Sequence, residues 1–413
     1  MRVAKPQPRV EPIPIPEDRI VGWRFARLLD EALRGLRRHR YHPNRTLFFD
    51  HVVIAHLLAF FNPAIKSLRK IEDAFDTPSV RKHLRTPRMP KSTLADAQRL
   101  FDPQLLLPLI ESLKQRISVS PHDPRLDDIT RKLLATDGSF FAVAPRIAWA
   151  LYNQTLRADT DRPIRKGQVR GHFSFDILRG IPHRVTLTDG QASEAEQLRQ
   201  TLEAGCLYLM DRGFQQYHLW VDILGAGSDF VVRLRKSARM VELETLPLSA
   251  ADRLAGVLRD ARVSVGWRED QTPLLEPLRC VRIAQPEKPD QPLILLTNRM
   301  DLEAQIIGLL YRHRWQIELF FRWLKCMAQF QHFFSESQTA MTLQMYVAMI
   351  ATLLIAVETG GKPSSYDYSL MSLAVNGLAP MEEILVVAAK RRAERQRAAE
   401  RAKTRAAAQK ISS

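Results

Sequence analysis

The stretch from Tyr311 to Lys325 (YRHRWQIELFFRWLK) sets one carboxylate, Glu318, among bulky apolar residues and four side chains able to meet an anion: Tyr311, Arg314, Arg322 and Lys325. Read as a single helix turning about 100° per residue, it gathers positions 311, 314, 318, 322 and 325 into a sector of roughly 80°. Ile317, Phe320, Phe321, Trp323 and Leu324 fill most of the remaining circumference, so the helix is expected to be buried with its polar stripe facing a groove. An isolated carboxylate edged by cations suits a metal ion whose partner is a polyanion. The same residues also fit a plainer arrangement, a solvated charged face with an i,i+4 pair between Glu318 and Arg314 or Arg322.

Two further acids stand beside apolar runs. LLATDGSFF ends a candidate strand in Asp137-Gly138, and Cys206 to Met210 runs into Asp211-Arg212-Gly213-Phe214, so each aspartate is expected to close a buried strand. Asp-Gly is also ordinary turn chemistry. Between the two lie an alternating run from Val169 to Leu178, a Gly-Ile-Pro turn at 180–182, a second alternating run from Arg184 to Thr188, and a Ser193/Glu196 capping pair opening a helix to about Ala204. A helix from about Gln215 to Leu224 and a strand from Phe230 to Leu234 follow. Three strands, helix, strand, helix, strand is an order that resembles the ribonuclease H-like fold, with carboxylates of the first and fourth strands side by side. Hard oxygen ligands without a Cys or His cluster favour Mg²⁺ or Mn²⁺ over zinc. Two such ions can activate an attacking oxygen and stabilise a leaving one at phosphorus. His172, on the second strand, either sits near these acids or is a satisfied core histidine.

These elements sit in a chain with 61 Lys and Arg against 45 Asp and Glu, a formal net charge of +16, which points to a polyanionic partner. The longest apolar run, Met345 to Val357, is 13 residues, too short to span a bilayer and readable as a buried core helix. Five prolines and several charges in the first 19 residues exclude a signal peptide there. Cys206, Cys280 and Cys326 are too widely spaced for a disulfide framework or zinc pairs, and a cytoplasmic location without membrane association is expected.

Five regions are anticipated: a helical N-terminal region at 1–125, a first core segment at 126–236, a β-rich insertion at 237–300, a second core segment with the Glu318 helix at 301–335, and a helical C-terminal region with a basic tail at 336–413. In the first, Thr46 to Phe61 reads as a buried helix. RTPRMPKST reads as a basic loop feeding a helix capped by Ser92 or Thr93, able to set Arg88 and Lys91 against phosphates or merely to connect. Lys390 to Lys410 carries nine basic and two acidic residues, as a solvated helix or a non-specific DNA clamp.

Taken together, these residues resemble the DDE transposases of bacterial insertion sequences, in the IS-four-like group. That group is marked by Tyr-x2-Arg-x3-Glu-x6-Lys, matched by Tyr311, Arg314, Glu318 and Lys325, and its two earlier motifs are matched by Asp137-Gly138 and Asp211-Arg212-Gly213-Phe214. The resemblance covers about residues 90–355. It implies an α/β protein with a ribonuclease H-like catalytic core and a β-rich insertion, flanked by helical regions that read transposon ends and pair subunits. It further implies phosphodiester cleavage at double-stranded DNA ends and strand transfer by a homodimer on DNA, with Asp137, Asp211 and Glu318 holding two Mg²⁺ or Mn²⁺ ions and Tyr311, Arg314 and Lys325 gripping the backbone. Arg322 joins that face by its position alone. Relatives that cut through a hairpin use an aromatic wedge from the insertion, where Trp267 is the one tryptophan. A rival reading is a catalytically silent, transposase-derived DNA-binding protein acting as repressor or architectural factor. A general nuclease of the same fold is a third.

Overall fold

A computed structural model describes residues 29–37, 45–62, 64–120, 122–127, 129, 131–144, 146–153, 165–265, 277–327, 332–359 and scattered positions from 370 to 401. The chain divides into two compact units, residues 1–101 with 366–413, and residues 102–365.

The first unit contains helices α1 (Asp30–Arg37), α2 (Phe49–Phe61), α3 (Leu68–Asp76), α4 (Pro78–Leu84) and α5 (Lys91–Leu100). The anticipated buried helix is α2, whose apolar residues face all round and whose Phe49 ring stacks on Phe101 at 4.9 Å. Its buried His56 finds Gln98 of α5 at 3.2 Å, so that polar ring keeps a partner in the core. The loop helix starts earlier than expected. Pro90, not Ser92 or Thr93, is the cap of α5, and no side chain caps it. Pro90 has φ −56°, already near the helical value, so helix begins at once and Ser92 and Thr93 fall inside the first turn.

The second unit is mixed α/β, built on one ten-stranded sheet. In chain order it comprises α6 (Leu107–Gln115), β1 (Lys132–Val143), β2 (Leu151–Asn153), β3 (Arg165–Asp176), β4 (Ile181–Asp189), α7 (Glu194–Arg199), β5 (Cys206–Met210), α8 (Tyr217–Gly225) and β6 (Asp229–Arg233). Then come β7 (Val241–Thr245), α9 (Ala250–Leu254), β8 (Val257–Ser264), β9 (Leu278–Ile283), β10 (Leu293–Thr297), α10 (Ala304–His313), α11 (Trp315–Arg322) and α12 (Gln338–Thr359). The sheet runs β2-β3-β1-β5-β6-β10-β9-β8-β7, with β4 also on β3. β1, β3 and β4 form the expected antiparallel meander, while β5 and β6 join it in parallel. The strands of the 237–300 stretch extend this same sheet, because β10 pairs antiparallel with β6.

Successive side chains alternate between the two faces. Leu134, Tyr208, Met210, Phe230 and Val232 pack beneath α7 and α8 with Leu198, Leu219, Trp220 and Ile223. On β3, Phe173 and Phe175 meet Phe320 of α11 at ring separations of 5.8 and 5.4 Å. The run at Met345–Val357 belongs to the 22-residue α12. By length and composition Gln338–Glu358 would suffice to cross a membrane, but 89 % of its apolar window is buried inside the protein, against β4 and α6. It is a core helix.

Two expectations need correction. Asp137 does not end its strand: β1 continues to Val143 because its pairing with β3 persists to Val143↔Gly167, whereas pairing with β5 stops at Ala135. Nor is Tyr311–Lys325 one regular helix. The ladder tightens at Arg314, where Arg314 N–H donates to the Tyr311 carbonyl and Ile317 N–H to the Arg314 carbonyl, and widens into a π turn at Trp323–Met327. The five apolar positions are buried as expected, whereas Trp315 and Leu319 are exposed.

Candidate active site

The register of β1 and β5 brings the two aspartates level. Leu209 pairs with Ala135 in parallel, and two residues further along lie Asp211 and Asp137, on the face of Leu133, Ala135, Leu207 and Leu209. Each aspartate is then oriented by the glycine that follows it. Asp137 Oδ1 accepts from Gly138 N–H at 2.8 Å, and Asp211 caps a 3₁₀ turn over Arg212–Phe214, with Oδ1 accepting from Gly213 N–H at 2.7 Å. Asp-Gly and Asp-x-Gly are thus two spacings of one device, a backbone amide that holds a carboxylate in place. Neither glycine adopts a positive φ.

Arg314, at the α10–α11 junction, ties Glu318 to this pair. Its Nη1 lies 3.3 Å from Asp137 Oδ2 and its Nη2 2.5 Å from Glu318 Oε1. The guanidinium is largely buried and lies 5.7 Å from the centre of the Tyr311 ring. Burial lowers its pKa, but Tyr311, Glu318 and Asp137 outweigh that and keep it charged. Tyr311 itself is buried, which pushes its phenol up.

Burial drives the Asp137 carboxyl up to about 7; Asp211 and Glu194 push the same way, against Arg314 and the Gly138 amide. Glu194 was missed in the sequence. It opens α7 behind the Ser193 cap, whose Oγ accepts from Glu196 N–H at 3.4 Å, and burial together with Asp211 raises its pKa, opposed by Arg170 and the Gly138 amide. Arg170 also holds the preceding loop through the Ala192 carbonyl at 2.9 Å. The Ser193/Glu196 capping pair accounts for Glu196 and leaves its neighbour unassigned, and the glycine near each aspartate reads in the sequence as a turn residue.

Within the second unit, Asp137, Asp211, Arg314 and Glu318 converge from β1, the end of β5, the α10–α11 junction and α11. Lys325 lies in the π turn with Nζ 5.1 Å from the Phe141 ring of β1, and Arg322 is exposed on α11. His172 sits opposite Gly138 on β3, gives Nε2 to Thr188 at 2.7 Å and leaves Nδ1 buried without a partner. Burial, with Arg170, lowers its pKa to about 4. A cavity of about 20 Å³, room for one water, is lined by His172, Asp137, Glu194 and Thr136 among others. Arg88 and Lys91 belong to the first unit, where Arg88 pairs with Asp76 at 2.7 Å and Lys91 is exposed. Trp267 lies outside the described residues.

A family of known proteins, described as the transposase DDE domain, matches residues 129–354, the span that holds Asp137, Asp211, Arg314, Glu318 and Lys325. The chain belongs to the DDE transposase family. A Sinorhizobium fredii protein, y4zB, which carries the name of a transposase, is 31 % identical over 197 residues, 46 % of this chain and 54 % of that protein. A Geobacillus stearothermophilus protein named as a transposase for insertion sequence element IS5377 is 21 % identical over 211 residues, 51 % of this chain and 52 % of its own length. The chain thus spans about half the length of these curated relatives.

For a DDE transposase the question is whether these residues suit divalent ions. Among the described residues no three acidic, histidine or cysteine side chains stand at the spacing of a ready-made metal cage. The donor chemistry does fit. The carboxylates are hard oxygen donors, and Asp137 is held toward neutrality by burial and by acids whose repulsion a divalent cation offsets.

Proposed function

We propose that this DDE transposase cuts phosphodiester bonds at the ends of an insertion sequence and joins the freed 3′-hydroxyl to target DNA. The observation that carries the proposal is the convergence of Asp137, Asp211 and Glu318, with Arg314 between two of them. In this reading the second unit is a ribonuclease H-like core extended by the strands of residues 237–300, and Tyr311, Arg314, Glu318 and Lys325 form the Tyr-Arg-Glu-Lys signature. Asp137, Asp211 and Glu318 hold two Mg²⁺ or Mn²⁺ ions, which when bound activate the attacking oxygen and offset charge on the leaving one.

The chain's own residues do the rest. The Gly138 and Gly213 amides fix the aspartates against rotation. With the acids engaged, Arg314 would be free of Asp137 and Glu318 and its planar fork would suit phosphate oxygens, with Lys325 and exposed Arg322 as further cations for the backbone. Tyr311 stacks on or donates to the nucleic acid beside the cut. The helical N-terminal region, with Arg88 and Lys91, contacts DNA ends, and two copies act together on a pair of them. The net charge of +16 supports DNA as the partner.

The test is to incubate purified protein with Mg²⁺ and DNA carrying the element's own terminal repeats and to map the cuts. Cleavage at the repeat boundary, lost in Glu318→Ala while end binding persists, is expected. Nicking retained by Glu318→Ala would refute the assignment, and end binding with no cleavage by the wild type would favour the silent DNA-binding reading.

A further inference from the structure

Glu194 is a carboxylate that the three-acid description does not use. It reaches the site from α7, whereas Asp137 and Asp211 rise from β1 and the end of β5. A Cβ on Gly138 would collide with Glu194 Oε1 and lie 3.0 Å from its Cδ and 3.3 Å from its Cγ. A Cβ on Gly213 would lie 2.9 Å from Asp211 Oδ1 and 3.6 Å from Glu194 Oε2. The Glu194 carboxylate therefore spans the gap between the two aspartate-glycine turnings, one oxygen against each. Neither glycine has a positive φ, so backbone conformation does not demand glycine at either position. Space for this carboxylate, as it is placed, demands it at Gly138, whereas the tight neighbour of a Cβ at Gly213 is Asp211 Oδ1.

Placement in that gap is not a packing accident of an exposed side chain. Glu194 is half-buried, its loop is clamped by Arg170 through the Ala192 carbonyl and by Asp189 Oδ1 accepting from the amides of Gln191 and Ala192, and the Ser193 cap fixes the first turn of α7. No cation bonds it among the described residues, whereas the neighbouring Glu196 pairs with Arg199 at 3.0 Å. An acid held between two other acids with no ion pair of its own is a costly arrangement unless a cation joins it.

We propose that Glu194 is a fourth carboxylate of the divalent-metal site, serving one ion directly or through a bound water together with Asp137 and Asp211. This rests on the reading of Asp137, Asp211 and Glu318 as metal-holding residues. Gly138 is then a specificity element of the same site, since it keeps the path of the Glu194 side chain open.

The experiment is a Mn²⁺ titration of the full chain by calorimetry, alongside unfolding of the metal-free protein. Glu194→Gln keeps the size and the hydrogen-bonding oxygen but removes the charge, and should weaken Mn²⁺ binding about 10- to 100-fold while leaving the metal-free protein at least as stable as the wild type. Gly138→Ala should displace the flexible end of Glu194, weaken Mn²⁺ similarly, and add nothing when combined with Glu194→Gln. Unchanged Mn²⁺ affinity in Glu194→Gln, with Asp137→Asn losing it, would overturn the role of Glu194 and leave the three-acid site standing. No Mn²⁺ binding by the wild type, or equal binding by Asp137→Asn, would overturn both.

Discussion

Replacing Asp137 by Asn should stabilise the metal-free protein while removing its activity. The Asp137 carboxyl has moved from 3.8 to about 7 on folding, chiefly through burial. Roughly three pKa units at 1.36 kcal/mol each gives about 4 kcal/mol that the ionised side chain costs the fold above pH 7. Its side chain retains 21 % exposure, and screening through that opening reduces the expected gain to ~2 kcal/mol. The folded-state pKa lies above the unfolded one, so folding takes up a proton between about pH 4 and 7. Stability of the wild type therefore falls as pH rises through that window and stays at its low plateau above it. Asn still accepts from the Gly138 amide but does not titrate. Denaturant unfolding in a chelator should show Asp137→Asn more stable at pH 8, the gap shrinking by more than half at pH 5. Equal or lower stability of the variant at pH 8, or a gap that ignores pH, would refute the reasoning that burial and neighbouring acids dominate this site.

Arg314→Ala should destabilise the metal-free protein by roughly 1–3 kcal/mol, because Asp137 and Glu318 lose their shared partner, and Mg²⁺ should restore more of that loss than it adds to the wild type; calorimetric melting with and without the ion measures both. Lys325→Ala should weaken binding to DNA ends and lower the slope of log affinity against log salt by about 1, read by fluorescence anisotropy across a salt series. Gly308→Val should unfold more readily than the wild type by about 1–3 kcal/mol, since even a Cβ at that position meets Ile283 Cδ1 at 2.6 Å, and a denaturant melt gives the difference.

Sequence periodicity made the central elements legible for a simple reason. β5 and β6 are buried on both faces and read as continuous apolar runs, and the register of a parallel pair, once β1 and β5 are adjacent, places Asp137 and Asp211 level. The stripe on residues 311–325 was legible because a helix cannot bury Ile317, Phe320 and Phe321 without turning Arg314 and Glu318 the other way. What escaped depends on partners distant in sequence. The length of β1 is set by its neighbour β3, and the place of Glu194 by a loop that Arg170 and Asp189 hold. No local pattern distinguishes Glu194 from Glu196 in SEAEQ; only the missing side chain at Gly138 does.

The irregularity of the 304–327 segment bears on how such a site tolerates its own charge. A regular helix through Tyr311–Lys325 would still have paired Arg314 with Glu318 one turn on. The observed chain instead tightens at Arg314, and there one guanidinium reaches both Glu318 on its own helix and Asp137 on the sheet. Asp137 and Glu318 thus share one internal cation at the place where external cations are proposed to act. That arrangement lets the metal-free protein fold without three unpaired acids, and under the proposed function release of Arg314 would be a precondition for loading the site. Because an arginine freed from two carboxylates is itself a good ligand for phosphate, DNA bound as proposed would offer the guanidinium a new partner as the acids received theirs. In the proposed function, cation and substrate would then be coupled through one side chain, each easing the arrival of the other.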